Sequence, residues 1–184
     1  MKRTMLGILV GITVITIIFV VLGYKYDKSD AEKQQGKSGV YDVAADGTIA
    51  YVSFANGIAG LFISSDDRLP VVELPVDQTI LDLSYSKDGT ILAYVVAAKD
   101  FEEQSGSTVY LLNTETREEI KTFSTKGLIT DLAFDPADPN RLLYLQADSF
   151  TNYSPIASKA PHDYDVHSYH FANGITKKHT DMKA

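Results

Sequence analysis

An all-β fold, three copies of one four-stranded antiparallel unit preceded by a single apolar helix, is what this sequence predicts. Three observations predict it. First, one pattern recurs: a short apolar strand, an Asp-Gly turn and a second strand, clearest in Ile80-Leu81-Asp82-Leu83-Ser84-Tyr85-Ser86-Lys87-Asp88-Gly89-Thr90-Ile91-Leu92-Ala93-Tyr94. An earlier copy runs from Asp42 through Asp46-Gly47 to Tyr51, and a later one from Thr130 through Asp135 to Tyr144. Asp46 and Asp88 stand 42 positions apart, Asp82 and Asp131 49, and a period of ~40–45 residues is that of small sheets stacked around an axis, each covering a face its neighbour cannot bury alone. Second, from Val40 onward short runs of Val, Ile, Leu, Tyr and Phe alternate with turn residues, and no segment has a helical period. Third, residues 5–22 carry no charge, and at ~1.5 Å per residue they reach ~27 Å, close to the ~30 Å of a bilayer's hydrocarbon core.

Residues 1–23 read as a transmembrane helix or signal anchor, in which Thr13 and Thr16 can each bond a carbonyl one turn back. The rival reading is a cleaved signal, for which Val21-Leu22-Gly23 has the small-residue form, but the apolar run exceeds the usual ~7–15 residues of such a core. Lys2 and Arg3 precede the run while Lys25, Lys28, Lys33 and Lys37 follow it, so a count of basic residues does not decide the orientation. The short basic start is the form of an export signal, and it places the following domain outside the cytoplasm at the cell membrane. Residues 24–39 mix Lys, Asp, Gln, Ser and Gly and read as a polar tether.

The repeat domain follows over 40–184, in units of 40–79, 80–128 and 129–184. The first predicts strands at 40–45, 48–54, 60–64 and 70–74, with turns at Asp46-Gly47, Asn56-Gly57 and Ser65-Asp66-Asp67. The second predicts strands at 80–84, 91–97, 108–113 and 118–123, with a polar loop at 98–107. The third predicts strands at 129–134, 142–146, 166–171 and 175–179, with an enlarged loop at 147–165 and an Asn173-Gly174 turn. Asp-Gly and Asn-Gly supply the positive φ angles that tight hairpins need.

On these residues a resemblance stands. Tyr85-Ser86-Lys87-Asp88-Gly89-Thr90-Ile91-Leu92-Ala93-Tyr94 resembles the S-P-D-G-x-x-I-A-Y repeat of TolB-type, WD-like β-propellers, and Asp165-Val166-His167-Ser168-Tyr169-His170-Phe171-Ala172-Asn173-Gly174 resembles that family's D-I-Y-x-Y-D-x-x-T-G hairpin. The likeness covers roughly 40–180, with Lys87 in place of the usual proline and Asp-Pro-Ala-Asp-Pro-Asn at 135–140. It implies a β-propeller and no particular ligand, because propellers of differing function share these motifs. Closed propellers use ~4–8 blades and this chain supplies about three. It is therefore a truncated propeller, one whose open edges are covered by self-association or another subunit, or an open stack of sheets.

Composition narrows the function. The chain has 184 residues, a net charge of -7 and no lysine- or arginine-rich stripe, which argues against nucleic-acid binding. Cysteine is absent, so disulfides, thiolate metal sites, a cysteine nucleophile and a lipidated cysteine are excluded. There is no G-x-S-x-G, no H-E-x-x-H and no phosphate-cradling glycine loop. No catalytic residue and no cofactor is expected.

Three groups of residues are candidates for binding. Asp42, Asp82 and Asp131 recur early in the first strand of each unit, where inner-edge carboxylates could hold a cation or a basic peptide, or could cap backbone N–H groups of an adjacent turn. The stretch 161–170 holds three of the four histidines with Asp163 and Asp165. In an extended strand Asp163, Asp165 and His167 share a face that His170 does not, so no metal site is assigned there. The loop at 147–165 carries Phe150, Tyr153, Ile156 and Tyr164, and Phe150, Tyr153 and Tyr164 are the predicted partner-binding residues, because rigid rings bury area at little entropic cost. The expectation is a membrane-anchored, extracytoplasmic, non-catalytic module that binds a protein or peptide. The alternatives are a small-ligand, sugar or ion sensor, or a propeller fragment without independent function.

Overall fold

The computed structural model describes residues 2–28, 33–65, 68–101, 106–149 and 160–182. Residues 66–67, 102–105 and 150–159, which include the first unit's long turn, the middle of the 98–107 loop, and Phe150, Tyr153 and Ile156, lie outside the described residues.

One long helix, α1 (Lys2–Tyr26), comes first. Two of its threonine hydroxyls bond within the helix: Thr13 donates to the Leu9 carbonyl and Thr16 to that of Ile12, both at 2.9 Å. Over Gly7–Tyr26 the mean hydropathy is 2.5 and no part of the span is buried in the protein, so the helix is long and apolar enough to cross a membrane.

Twelve strands follow, in three four-stranded antiparallel sheets. Sheet one holds β1 (Gly36–Val43), β2 (Ile49–Ala55), β3 (Ile58–Ile63) and β4 (Val72–Glu73). Sheet two holds β5 (Gln78–Tyr85), β6 (Ile91–Ala98), β7 (Ser107–Asn113) and β8 (Glu119–Thr125). Sheet three holds β9 (Leu128–Phe134), β10 (Arg141–Ser149), β11 (His162–His170) and β12 (Ile175–Lys178). Each sheet is a meander in chain order, and the first strands β1, β5 and β9 lie beside one another, so the sheets stack as blades about a common inner edge.

Turn chemistry sets the hairpins. The β2–β3 turn puts both Asn56 (φ 50°) and Gly57 (φ 81°) in the left-handed region, as a two-residue hairpin requires. In the recurrent Asp-Gly turns the aspartate side chain holds the loop: Asp46 accepts the Thr48 N–H at 2.8 Å and Asp88 that of Thr90 at 3.1 Å.

Register aligns the sheets residue by residue. Equivalent bonds close the first hairpin of each: Ala44 N–H to Thr48, Ser86 N–H to Ile91 and Asp135 N–H to Arg141. With Ala44, Ser86 and Asp135 thus matched, one cross-strand pair recurs as Tyr51–Phe62, Tyr94–Tyr110 and Tyr144–His167. All three are stacked, with centroids 5.4, 5.1 and 5.3 Å apart and planes within 15°.

Two cores fill the spaces between sheets. Ala50, Val52, Leu61 and Ile63 of sheet one meet Leu83, Leu92, Tyr94 and Leu112 of sheet two. The other face of sheet two, Ala93, Val95, Val109 and Leu111, meets Ile129, Leu132, Leu142 and Tyr144 of sheet three. Alternation along β6 divides its residues between the two cores, and a buried leucine such as Leu92 or Leu142 contributes about 1.5–3 kcal/mol.

Boundaries differ from the sequence reading in three places. The helix runs to Tyr26 and β1 starts at Gly36, so both enter the stretch predicted as tether. The structured part of the 147–165 loop belongs to strands, β10 reaching Ser149 and β11 starting at His162. Strand β4 shrinks to Val72–Glu73 because Pro70 has no N–H to give to a ladder.

Candidate functional site

The inner-edge carboxylates hold sheets together. Asp42 accepts the backbone N–H of Tyr85, in sheet two, at 2.7 Å, and Asp82 accepts that of Leu132, in sheet three, also at 2.7 Å. The donors are on the next sheet's first strand, where the sequence placed them in an adjacent turn. The three aspartates also do not share one register: Asp82 and Asp131 each stand four positions before the hairpin-closing residue, Asp42 only two before Ala44. Burial pushes the Asp82 carboxyl above its ordinary range, the Leu132 and Leu83 N–H groups pull it back, and the charges of Asp131 and Asp42 add to the rise. Asp131 is exposed, and its carboxylate accepts the neighbouring Thr130 hydroxyl at 2.7 Å.

The histidine stretch disperses. Asp163 has a φ of 58°, so β11 is not extended there and the predicted common face is broken. Asp165 is buried and saturated: Lys178 Nζ lies 2.6 Å away, and the Thr180 hydroxyl and Met182 N–H each donate at 2.8 Å. The Lys178 ammonium, then the Met182 N–H, hold its carboxyl down to about 2. His167 stacks on Tyr144 with Asp148 3.7 Å from Nε2, and burial lowers its pKa, while His170 faces Asp138 at 3.6 Å. Among the described residues no group of three metal-ligating side chains comes together.

Of the predicted partner-binding aromatics, Phe150 and Tyr153 are outside the described residues. Tyr164 is on strand β11, opposite Ala147, rather than in a loop. It is half-buried, and burial together with the Asp131 charge pushes its hydroxyl up, which puts Tyr164 near Asp131.

Sequence reasoning missed one concavity between sheets two and three. A cleft of about 690 Å³ opens between the first hairpins of sheets two and three. It is lined by apolar Ile91, Phe134, Pro136, Pro139 and Phe171 and by polar or charged Ser86, Lys87, Asp88, Asp135 and Asn140. Phe134 and Phe171 meet edge to face at 6.3 Å. Beside the cleft Arg141 Nε lies 2.8 Å from Asp135, whose carboxyl is held low first by the Ala137 N–H and then by Arg141. The available signal was the six-residue Asp-Pro-Ala-Asp-Pro-Asn turn, which is longer than its two counterparts.

No protein-family model matches the chain, and no curated protein sequence matches it. Solved structures do. The chain is similar to the β-propeller domain of the trilobed protease from Pyrococcus furiosus, described as having an open velcro topology, with a TM-score of 0.50 at 15% identity over 79% of this chain and 44% of that one. It is similar to the same degree to an acylaminoacyl peptidase solved with Z-Gly-Gly-Phe-chloromethyl ketone, with a TM-score of 0.50 at 15% identity over 79% of this chain and 25% of that one. At such identity the likeness shows a propeller-like fold alone. The chain spans less than half the length of either structure.

Proposed function

We propose that this protein is a membrane-anchored, extracytoplasmic, non-catalytic propeller-like module that binds a protein or peptide segment. The observation that carries the reading is the 690 Å³ cleft between sheets two and three, whose lining sets five apolar side chains beside five polar or charged ones. Such a surface suits an extended peptide, whose side chains meet the apolar lining while its backbone meets the polar groups. The apolar helix supports anchoring, and its basic start supports export of the sheets that follow. The TolB-like hairpins support the same class of module on resemblance alone.

The ion or small-ligand reading is weaker, because two of its three carboxylates are committed to backbone donors. The test uses the full chain in lipid nanodiscs, a peptide library and a thermal-shift panel of cations and glycans. Peptides should bind saturably and lose binding in Pro139→Glu, which puts a charge on the exposed wall of the cleft. Stabilisation by a cation or glycan, with no peptide bound, would refute the proposal.

A further inference from the structure

The two outer faces of this three-sheet stack are the complementary halves of the junction that joins its sheets internally. Within the chain, each junction has two parts. The leading face of the later sheet presents the stacked pair, Tyr94–Tyr110 or Tyr144–His167, to an apolar trailing face on the earlier sheet. A carboxylate from the earlier sheet then accepts an N–H of the later sheet's first strand, one register position further on.

Sheet one carries a leading face with nothing described in front of it. Tyr51 of its stacked Tyr51–Phe62 pair borders a groove of about 330 Å³ lined also by Val40, Tyr41 and Ile49. Ile49 is 39% exposed where its register equivalent Leu92 is 0%. Sheet three carries the opposite half. Leu143, Leu145 and Val166, only partly buried, occupy the positions at which Ala93, Val95 and Val109 are fully buried.

The carboxylate is there too. Asp131 stands at the register position of Asp82, exposed, and among the described residues it accepts no inter-sheet N–H of the kind that Asp82 holds. The matching donor on sheet one is Tyr41, three positions before Ala44 as Leu132 is three before Asp135. Such positions turn the N–H away from the second strand and toward the inner edge. Tyr41 is 64% exposed, and Lys37 Nζ, 4.4 Å from the Tyr51 ring, adds a cation to the face that would meet Asp131.

We propose that a second copy of this chain closes the stack: sheet three of each copy packs on sheet one of the other, with Asp131 accepting the Tyr41 N–H across both junctions. Continuity with the internal junctions selects the occupant, since each missing half is found on the chain itself. The contact is head-to-tail and closes after two copies, and twice three sheets is six, inside the ~4–8 blades of closed propellers. The two-fold axis coincides with the ring axis, so both β1 strands start at the same rim and two α1 helices could enter one bilayer. Confinement there would raise the effective concentration of the halves.

The absence of cysteine allows a direct test on the full chain in detergent micelles. Light scattering should give twice the chain mass. Asp131→Cys and Tyr41→Cys variants, mixed and treated with a short bis-maleimide, should link to each other, and neither should link efficiently to itself. Asp131→Ala should weaken dimerisation on the order of a hundredfold, about tenfold for each of two charge-assisted bonds, with unchanged circular dichroism. A monomer at every concentration overturns the proposal, as does a larger or open-ended assembly. So does a dimer in which Asp131→Cys links to itself as readily as to Tyr41→Cys, because that is a back-to-back contact; the mass and cross-linking results stand even if the alanine variant misfolds.

Discussion

Replacing Asp82 by alanine removes the carboxylate that accepts the Leu132 N–H at 2.7 Å and leaves that donor beside a residue only 8% exposed. Losing a charge-assisted bond into a buried N–H costs about 1.5–3 kcal/mol. Asp82→Asn keeps an acceptor oxygen and sheds the desolvated charge, so its cost should be under ~1 kcal/mol. Asp131→Ala, at the same register position with no inter-sheet donor, should change the stability of the dissociated chain by no more than ~0.5 kcal/mol. The assay is urea unfolding in micelles read by tyrosine fluorescence, the chain having eleven tyrosines and no tryptophan. The pH dependence has a definite sign. Burial raises the Asp82 carboxyl above its unfolded value of 3.8, so the folded state binds the proton more tightly, and acidification through that window should stabilise the native protein relative to Asp82→Asn. Equal destabilisation by Asp82→Ala and Asp131→Ala would refute the assignment of inter-sheet bonding to this register.

Leu142→Ala, at a fully buried position in the second core, should cost about 2–5 kcal/mol in the same assay, whereas Ile120→Ala, at a side chain 52% exposed, should stay within ~0.5 kcal/mol. Asp165 has its carboxyl held down to about 2 from 3.8, so its stabilisation is present above about pH 4 and is lost as pH falls toward 2. Hydrogen-exchange protection of the β12 amides, taken relative to the intrinsic rate at each pH, should therefore fall over that range, and Asp165→Asn should lower it already at neutral pH while removing the acid step.

Twelve strands were legible because two local signals agreed: alternating apolar residues, and turns whose Asp-Gly or Asn-Gly pairs allow few other conformations. The start of β1 was not legible. Gly36, Lys37, Ser38 and Gly39 bury nothing, so a strand held there by backbone pairing with β2 leaves no hydrophobic trace. The recurrence of Asp42, Asp82 and Asp131 was visible, but their partners were not, since Tyr85 and Leu132 lie 43 and 50 residues away from Asp42 and Asp82. A carboxylate read singly looks like a ligand. Read in register, with a donor on the next sheet, it is a clasp.

The histidine stretch is likewise explained by register. Three histidines among aspartates suggest metal chemistry so long as each is taken as a ligand in search of a centre. Register assigns His167 a different role: it stands where Phe62 and Tyr110 stand, and it stacks on Tyr144 as they stack on Tyr51 and Tyr94. A flat ring of moderate size is what that position requires, and neutral imidazole supplies one. Burial accordingly lowers the pKa of His167, disfavouring the charged form of the ring against its neighbour. The aromatic pair is thus a property of the repeat as much as the Asp-Gly turn is. Because its members pair across strands rather than along the chain, it becomes visible only when β2, β6 and β10 are aligned with β3, β7 and β11, and that alignment also shows that the first pair, Tyr51–Phe62, has no described sheet in front of it.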